Sequence, residues 1–233
     1  MIYEWILKAA GRNATTGSSM IPTPSKRYDI VYADPPWRYN DVGCNGAVEA
    51  HYNTMTLDGI KAMPIADLVN DNAVLFMWAT WPMLQEALDV IKAWGFQYKS
   101  VGFVWVKKNR SDCYEFFGLG RWTRGNTEFC LLATRGKPRR VAKGVNQLCF
   151  FPIRGHSRKP DEIRHRIVEL MGDLPRVELF AREKHDGWDC WGNEVDSSIA
   201  LPGYVKHSTR KVERKTRSEP AQEPDLLTTV TKI

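Results

Sequence analysis

Two kinds of segment alternate along this chain, and the alternation restricts its fold more than any other feature. "AVLFMWA" (73–79) is a continuous apolar run, the pattern of a strand covered on both faces. It leads into "WPMLQEALDVIKAWG" (81–95), an amphipathic helix with Thr80 placed to cap it, Pro82 in its first turn and Gly95 at its end. "YDIVYA" (28–33), "SVGFVWV" (100–106), "EFCLLAT" (128–134) and "RVELFA" (176–181) read as further strands. "KPDEIRHRIVELMG" (159–172) reads as a helix between Pro160 and Gly172, and "LDGIKAMPIADLV" (57–69) as a helical stretch broken at Pro64. Strands that alternate with helices predict an α/β fold: a mostly parallel sheet with helices on both faces. In such sheets, ligands bind beyond the carboxyl ends of the strands.

At 233 residues the chain is long enough for one substantial α/β domain, which the pattern places at 27–202. Residues 1–26 read as an N-terminal extension that ends in a linker-like stretch. Residues 203–233 are basic, carry no periodicity and read as a disordered tail. The start of the chain lacks the apolar run of a signal peptide, and no stretch has the roughly 18 apolar residues that span a bilayer. A cytoplasmic protein without a membrane partner is expected. Cysteines 44, 113, 130, 149 and 190 have no CxxC spacing, so free buried thiols are expected and no metal site.

Net charge is +6, unevenly placed. Residues 105–145 hold ten Lys/Arg and three acids, +7 in one segment. Trp105, Tyr114, Phe116, Phe117 and Trp122 are interleaved with these charges. Cations for phosphates and rings for bases are what a nucleic-acid groove uses.

The candidate site is "DPPW", Asp34–Trp37, directly after the first strand. By average residue usage such a tetrapeptide arises by chance in a chain this long about one time in a few thousand. It suits methylation of an exocyclic adenine amine. That nitrogen's lone pair is delocalised into the ring, so two acceptors on its N–H groups help to pyramidalise and aim it. Asp34 offers one acceptor and the Pro35 carbonyl the other; Pro36 stiffens the turn, and Trp37 offers a face to stack the base.

These residues lead to a resemblance. The chain resembles the DPPW-type adenine-N6 methyltransferases, the family of the catalytic subunit of the eukaryotic messenger-RNA adenosine methyltransferase and of bacterial and phage DNA adenine methylases. "HYNTM" (51–55), "LFMWAT" (75–80), "WVKKN" (105–109), "GRWTRGNTEFCLLATRGKP" (120–138), "HSRKPDEI" (156–163), "ELFAR" (178–182) and "GNE" (192–194) follow the family's order.

The resemblance implies a Rossmann-like methyltransferase fold with permuted motif order, S-adenosylmethionine as cofactor, and direct displacement without a covalent enzyme intermediate. It implies Lys159 near the donor's carboxylate, Arg182 near the ribose, and Asn193 with Glu194 at the ribose hydroxyls and amino-acid end. In that scheme Asp34 is shared with the donor's ammonium. Glu194 stands where the family has glutamine. Lys184 and His185 depart from a histidine–asparagine pair found in some members. Tyr52 matches a tyrosine beside the target adenine, though a loop-packing role fits the sequence nearly as well. A basic insert at about 107–127, with Trp122 and Arg124, falls where the family recognises its target. Glu128 is expected to pair with a neighbouring arginine. DNA is the expected partner ahead of RNA, in a bacterial or phage-infected cell; a non-catalytic scaffold of the same fold is the third reading. The resemblance leaves room for a homodimer.

Overall fold

A computed structural model describes residues 26–38, 54–110, 114–118, 122–155 and 158–201. Tyr52, Cys44, Cys113, most of the N-terminal extension and all of the C-terminal tail lie outside the described residues.

Seven strands form one sheet: β1 (Tyr28–Ala33), β2 (Val69–Ala79), β3 (Gln97–Lys108), β4 (Thr127–Arg135), β5 (Leu148–Pro152), β6 (Arg176–Leu179) and β7 (Asp189–Trp191). Their order across the sheet is β5-β3-β4-β2-β1-β6-β7. Four neighbouring pairs are parallel; β4 alone is antiparallel to both its neighbours, β2 and β3. The sheet is therefore mixed and mostly parallel.

Helices α1 (Leu57–Lys61), α2 (Ile65–Leu68) and α3 (Leu84–Ala93) cover one face, and α4 (Glu162–Met171) the other. The strands' two-residue period separates the faces. Val31, Leu75, Met77 and Leu131 pack with Ile60, Val90 and Trp94. Ile30, Tyr32, Phe76 and Trp78 pack with Ile163, Ile167 and Met171. Pro64 breaks the first helical stretch as expected, standing just before α2. Thr80 sits at the helix entrance, but its side chain makes no capping bond, because a single 3-10 turn (Trp81–Met83) intervenes before α3. Gly95 and Gly172 end their helices with φ of 80° and 89°, a region that suits glycine.

Strands β5 and β7 escaped the sequence reading. They are the outermost strands, five and three residues long. Edge strands that short take their conformation from one neighbour rather than from a pattern of their own.

Chain direction then gathers the candidate residues. β1, β2, β3, β5, β6 and β7 all run the same way, so their carboxyl ends share one rim of the sheet, and the start of β4 joins them. From β1 the chain moves to β2 on one side; it later returns through α4 to β6 on β1's other side. The crevice between the ends of β1 and β6 is thus a topological switch point, where open α/β sheets bind ligands.

Candidate active site

Asp34 follows the last residue of β1, Ala33, which is in register with Met77 of β2 and Leu179 of β6. Its Oδ2 accepts a hydrogen bond from Lys159 Nζ at 2.9 Å. No other hydrogen bond reaches Asp34 from the described residues, so Oδ1 keeps its acceptor capacity.

The two prolines and Trp37 build a rigid turn. The Trp37 amide donates to the Pro35 carbonyl at 2.9 Å, and the Met55 amide to the Pro36 carbonyl at 3.0 Å. The Pro35 oxygen expected to meet the substrate is therefore already engaged once, with one lone pair left. The stacking face expected of Trp37 is corrected by its burial: the ring is 6% exposed and belongs to the core. A buried indole N–H needs a partner, and Trp37 finds the Trp78 carbonyl at 3.1 Å. Trp37 bolts the turn to β2.

Behind Asp34 lies a row of alternating charges. Lys159 Nζ also contacts Glu128 Oε2 at 3.1 Å, and Lys107 Nζ donates to Glu128 Oε1 at 2.6 Å. Glu128 does form an ion pair, but with two lysines rather than an arginine. It is the second residue of β4, directly opposite Trp105 of β3, which brings it to the carboxyl end of β3, near Lys107. The lysines rest on buried tryptophans, Lys107 over Trp105 at 5.2 Å and Lys159 over Trp78 at 5.7 Å from the ring centroids. Burial opposes the charge on Lys159, yet the Asp34 and Glu128 carboxylates outweigh it and push its pKa up. Burial likewise raises Glu128, and the two lysines more than offset it, so its pKa stays low. Lys159 and Glu128 therefore both carry charge near neutral pH. The resemblance placed Lys159 against a donor carboxylate; here its ammonium fixes the orientation of Asp34.

Across the crevice, the loops after β6 and β7 close on each other. Phe180, just past β6, has φ of 62°, uncommon for a residue with a side chain, and packs edge-on against Trp191 at 5.5 Å. The Ala181 amide donates to the Trp191 carbonyl at 2.9 Å. Gly192 lies so close that an added Cβ would collide with the Ala181 carbonyl. That approach brings Arg182 Nε within 3.8 Å of Glu194 Oε1 and leaves Asn193 exposed beside them. Gly192→Ala is expected to separate the loops and cost about 1–3 kcal/mol, the usual range for forced overpacking; chemical denaturation of the two proteins measures it. Lys184 turns to Asp196 at 3.1 Å, and His185 is half-buried with its Nε2 unpartnered among the described residues.

Two sequence expectations about the basic segment change. Trp105 is 1% exposed, and its indole N–H serves the Phe151 carbonyl, so it is core rather than a groove ring. The charge also divides. Lys107, Lys108, Arg110 and Arg124 lie toward the site rim, whereas Arg135 ends β4 at its far end and Lys137, Arg139, Arg140 and Lys143 come after it. Nine strand residues separate the two groups by roughly 26 Å, so they face opposite rims. Tyr114, Phe117 and Trp122 are exposed on the site side, Trp122 almost wholly at 98%, with Arg124 exposed nearby. The described cysteines, 130, 149 and 190, are free and buried, and burial pushes the Cys149 thiol up to about 11.

Two structural ties had little sequence signal. Arg164 of α4 grips Glu178 of β6 through two hydrogen bonds of 2.7 and 2.6 Å, fixing the helix that follows Lys159 against the strand that leads to Arg182. Trp81, exposed at the end of β2, was read only as a helix residue; its place directly beyond a strand's carboxyl end was the available clue.

A mostly parallel sheet with a carboxylate at its switch point and polar loops across the crevice is the architecture of a Rossmann-like transferase. The MT-A70 family model matches residues 28–194, and the chain belongs to that family of methyltransferases. It is 33% identical over 201 residues to the type II methyltransferase M.MunI of Mycoplasma sp, covering 77% of this chain and 83% of that protein. It is 28% identical over 174 residues to the human N(6)-adenosine-methyltransferase catalytic subunit METTL3, covering 73% of this chain and 28% of METTL3. An MT-A70-like protein of Drosophila melanogaster is 29% identical over 174 residues, covering 73% of this chain and 27% of its own length. The chain thus spans little more than a quarter of these two eukaryotic relatives.

Members of the family generally use S-adenosylmethionine, and the residues present fit it. The crevice offers the Asp34 carboxylate, whose Oδ1 has no hydrogen bond from the described residues and keeps more than one lone pair, so that it can take an ammonium beside a second donor, together with an arginine and exposed Asn193 and Glu194 for hydroxyls. The close Gly192–Ala181 approach holds together the loops that carry these residues.

Proposed function

We propose that this protein transfers a methyl group from S-adenosylmethionine to the 6-amino group of adenine in DNA. The observation that carries the reading is Asp34: it stands at the switch point, Lys159 holds Oδ2, and Oδ1 keeps its acceptor capacity. Arg182, Asn193 and Glu194 would hold the donor from the loops after β6 and β7. When bound, the donor supplies an electrophilic methyl group on a sulfonium.

The chain's own residues prepare the nucleophile. Asp34 Oδ1 accepts one N–H of the adenine amine, and the remaining lone pair of the Pro35 carbonyl accepts the other. These bonds favour a pyramidal nitrogen with its lone pair directed away from the turn. Fixing that geometry in advance is where a large part of the rate enhancement would arise. The Pro-Pro turn and its Trp37 anchor keep the carbonyl in place, and Lys159 keeps the carboxylate from rotating. Asp34 need not be a strong base, because the product nitrogen becomes acidic as it gains the methyl and its proton can pass to water.

DNA is favoured because the type II methyltransferase relative aligns along most of its length, while the adenosine-methyltransferases align over little more than a quarter of theirs. The same adenosine-methyltransferase likeness supports RNA as the second reading. Purified protein with methyl-labelled donor should label duplex DNA in competition with RNA of matched sequence, and nucleoside analysis should find the label in N6-methyladenine. Label confined to RNA would replace the substrate; label in neither polymer would remove the reaction.

A further inference from the structure

We propose that Trp81 is a nucleobase-stacking platform on the rim of the site, taking a base that flanks the target. The inference rests on the nucleic-acid reading above and names a binding position for it. Stacking was expected of Trp37, whose ring is buried. Trp81 has what Trp37 lacks: it is 54% exposed, one of two exposed tryptophans among the described residues.

The ring is exposed but not loose. Its indole N–H donates to Thr127 Oγ1 at 2.9 Å, and its ring meets Phe129 at 4.5 Å between centroids, tilted by 55°. A hydrogen bond along one edge and a buried ring behind fix its orientation, leaving the rest of the indole on water. A fixed ring gives up little side-chain freedom on stacking. An indole placed only to fill the core would be covered, as are Trp78, Trp94 and Trp105 at 0–1% exposure.

Its place along the rim is set by register. Ala79 of β2 pairs with Phe129 of β4, so the chain beyond Ala79 passes Glu128 and reaches Thr127. On the other side of β2, Ala33 pairs with Met77, which puts Asp34 level with Trp78. Trp81 is three residues further on, at most roughly 10 Å beyond that level in the strand direction, and one strand across from β1. That separates it from the amine-binding position yet keeps it on the same rim. Thr127 is also where the segment carrying Tyr114, Phe117 and Trp122 enters the sheet, so the Trp81–Thr127 bond ties the platform to those exposed rings.

Nucleic-acid grooves pair such rings with cations, and base–aromatic stacking tolerates any sequence because every base has a π-face. The test therefore needs no knowledge of the recognised bases. Fluorescein-labelled single-stranded oligodeoxynucleotides of mixed sequence are titrated with full-length protein, beside an abasic oligomer of the same length that keeps only the sugar-phosphate chain. Trp81→Leu should raise Kd for the base-bearing oligomer roughly 5- to 150-fold, the range for one lost stack, and leave Kd for the abasic oligomer within about twofold. Trp81→Phe, which keeps a ring, should recover most of the difference. Equal Kd values for wild type and Trp81→Leu on the base-bearing oligomer would overturn the proposal, and so would equal weakening on both oligomers, since that is what a merely structural Trp81 gives. Failure of the methyl-transfer reading looks different: wild-type protein then labels no nucleic acid, whatever Trp81 does to binding.

Discussion

Asp34→Ala is expected to lower methyl transfer by about 10²–10³-fold, the loss typical of removing one preorganised polar group at a reacting centre. The effect should fall on kcat rather than on nucleic-acid KM. Phosphate contacts and stacked rings hold the polymer, whereas Asp34 acts on the amine whose nitrogen reacts. Asp34→Asn is the sharper comparison. Its amide keeps the shape and one acceptor oxygen, but it turns an NH2 either toward Lys159, where two donors would meet, or toward the substrate amine, where the acceptor is lost. Both orientations damage the site, so asparagine should rescue little. Thermal melting must accompany the kinetics, because removing the carboxylate leaves Lys159 sharing only Glu128 among its two carboxylate partners. Folded Asp34→Ala protein with wild-type kcat would remove Asp34 from the chemistry.

That the candidate residues share one rim could be read before the fold was known, for a physical reason, although Lys159, Arg182, Asn193 and Glu194 were singled out by the family resemblance and not by any pattern of their own. Asp34, Lys159, Arg182 and Asn193–Glu194 each sit in a short segment next to a strand or helix whose apolar pattern is strong. A parallel sheet then brings the strand ends to one rim, whatever the details of packing. Side-chain surroundings were not legible in the same way. Trp37, Trp81 and Trp122 stand beside polar or charged neighbours in the sequence and Trp105 two places from Lys107, yet two are buried and two exposed. What decides between them is whether a carbonyl lies within reach of the indole N–H inside the core. Trp37 has Trp78's and Trp105 has Phe151's, and both contacts join segments more than forty residues apart. The basic segment misled for a related cause. Charge summed along sequence ignores that β4 is a straight rod, which sends Lys107 and Arg139 to opposite rims.

Glu128 shows how a buried charge can tie these levels together, and Glu128→Gln tests it. Glu128 is 4% exposed and stands between two lysines. Asp34 remains as a partner for Lys159, but Lys107 has no second carboxylate among the described residues. Breaking a buried pair by deleting one partner costs about 3–5 kcal/mol. The Lys107 side chain is 19% exposed and can recover some hydration, which sets the expectation at the lower end, about 3 kcal/mol. In a chain of this size that is a fall in Tm of roughly 6–12 °C. The pH dependence has a definite sign. Glu128's folded pKa is depressed, so its contribution is present above the ordinary glutamate value of about 4.3 and disappears as pH falls through the lower folded value. Lys159's folded pKa is raised, so its contribution is complete below the ordinary lysine value of about 10.4 and is lost only as pH rises through the higher folded value. Urea unfolding should therefore give a constant gap between wild type and Glu128→Gln from about pH 5 to 10, narrowing below about pH 4. Adding Lys107→Met should recover much of the loss, because an apolar side chain replaces the stranded ammonium. A gap that stays unchanged into strong acid, or a double variant no more stable than Glu128→Gln, would mean that Glu128 contributes shape rather than charge.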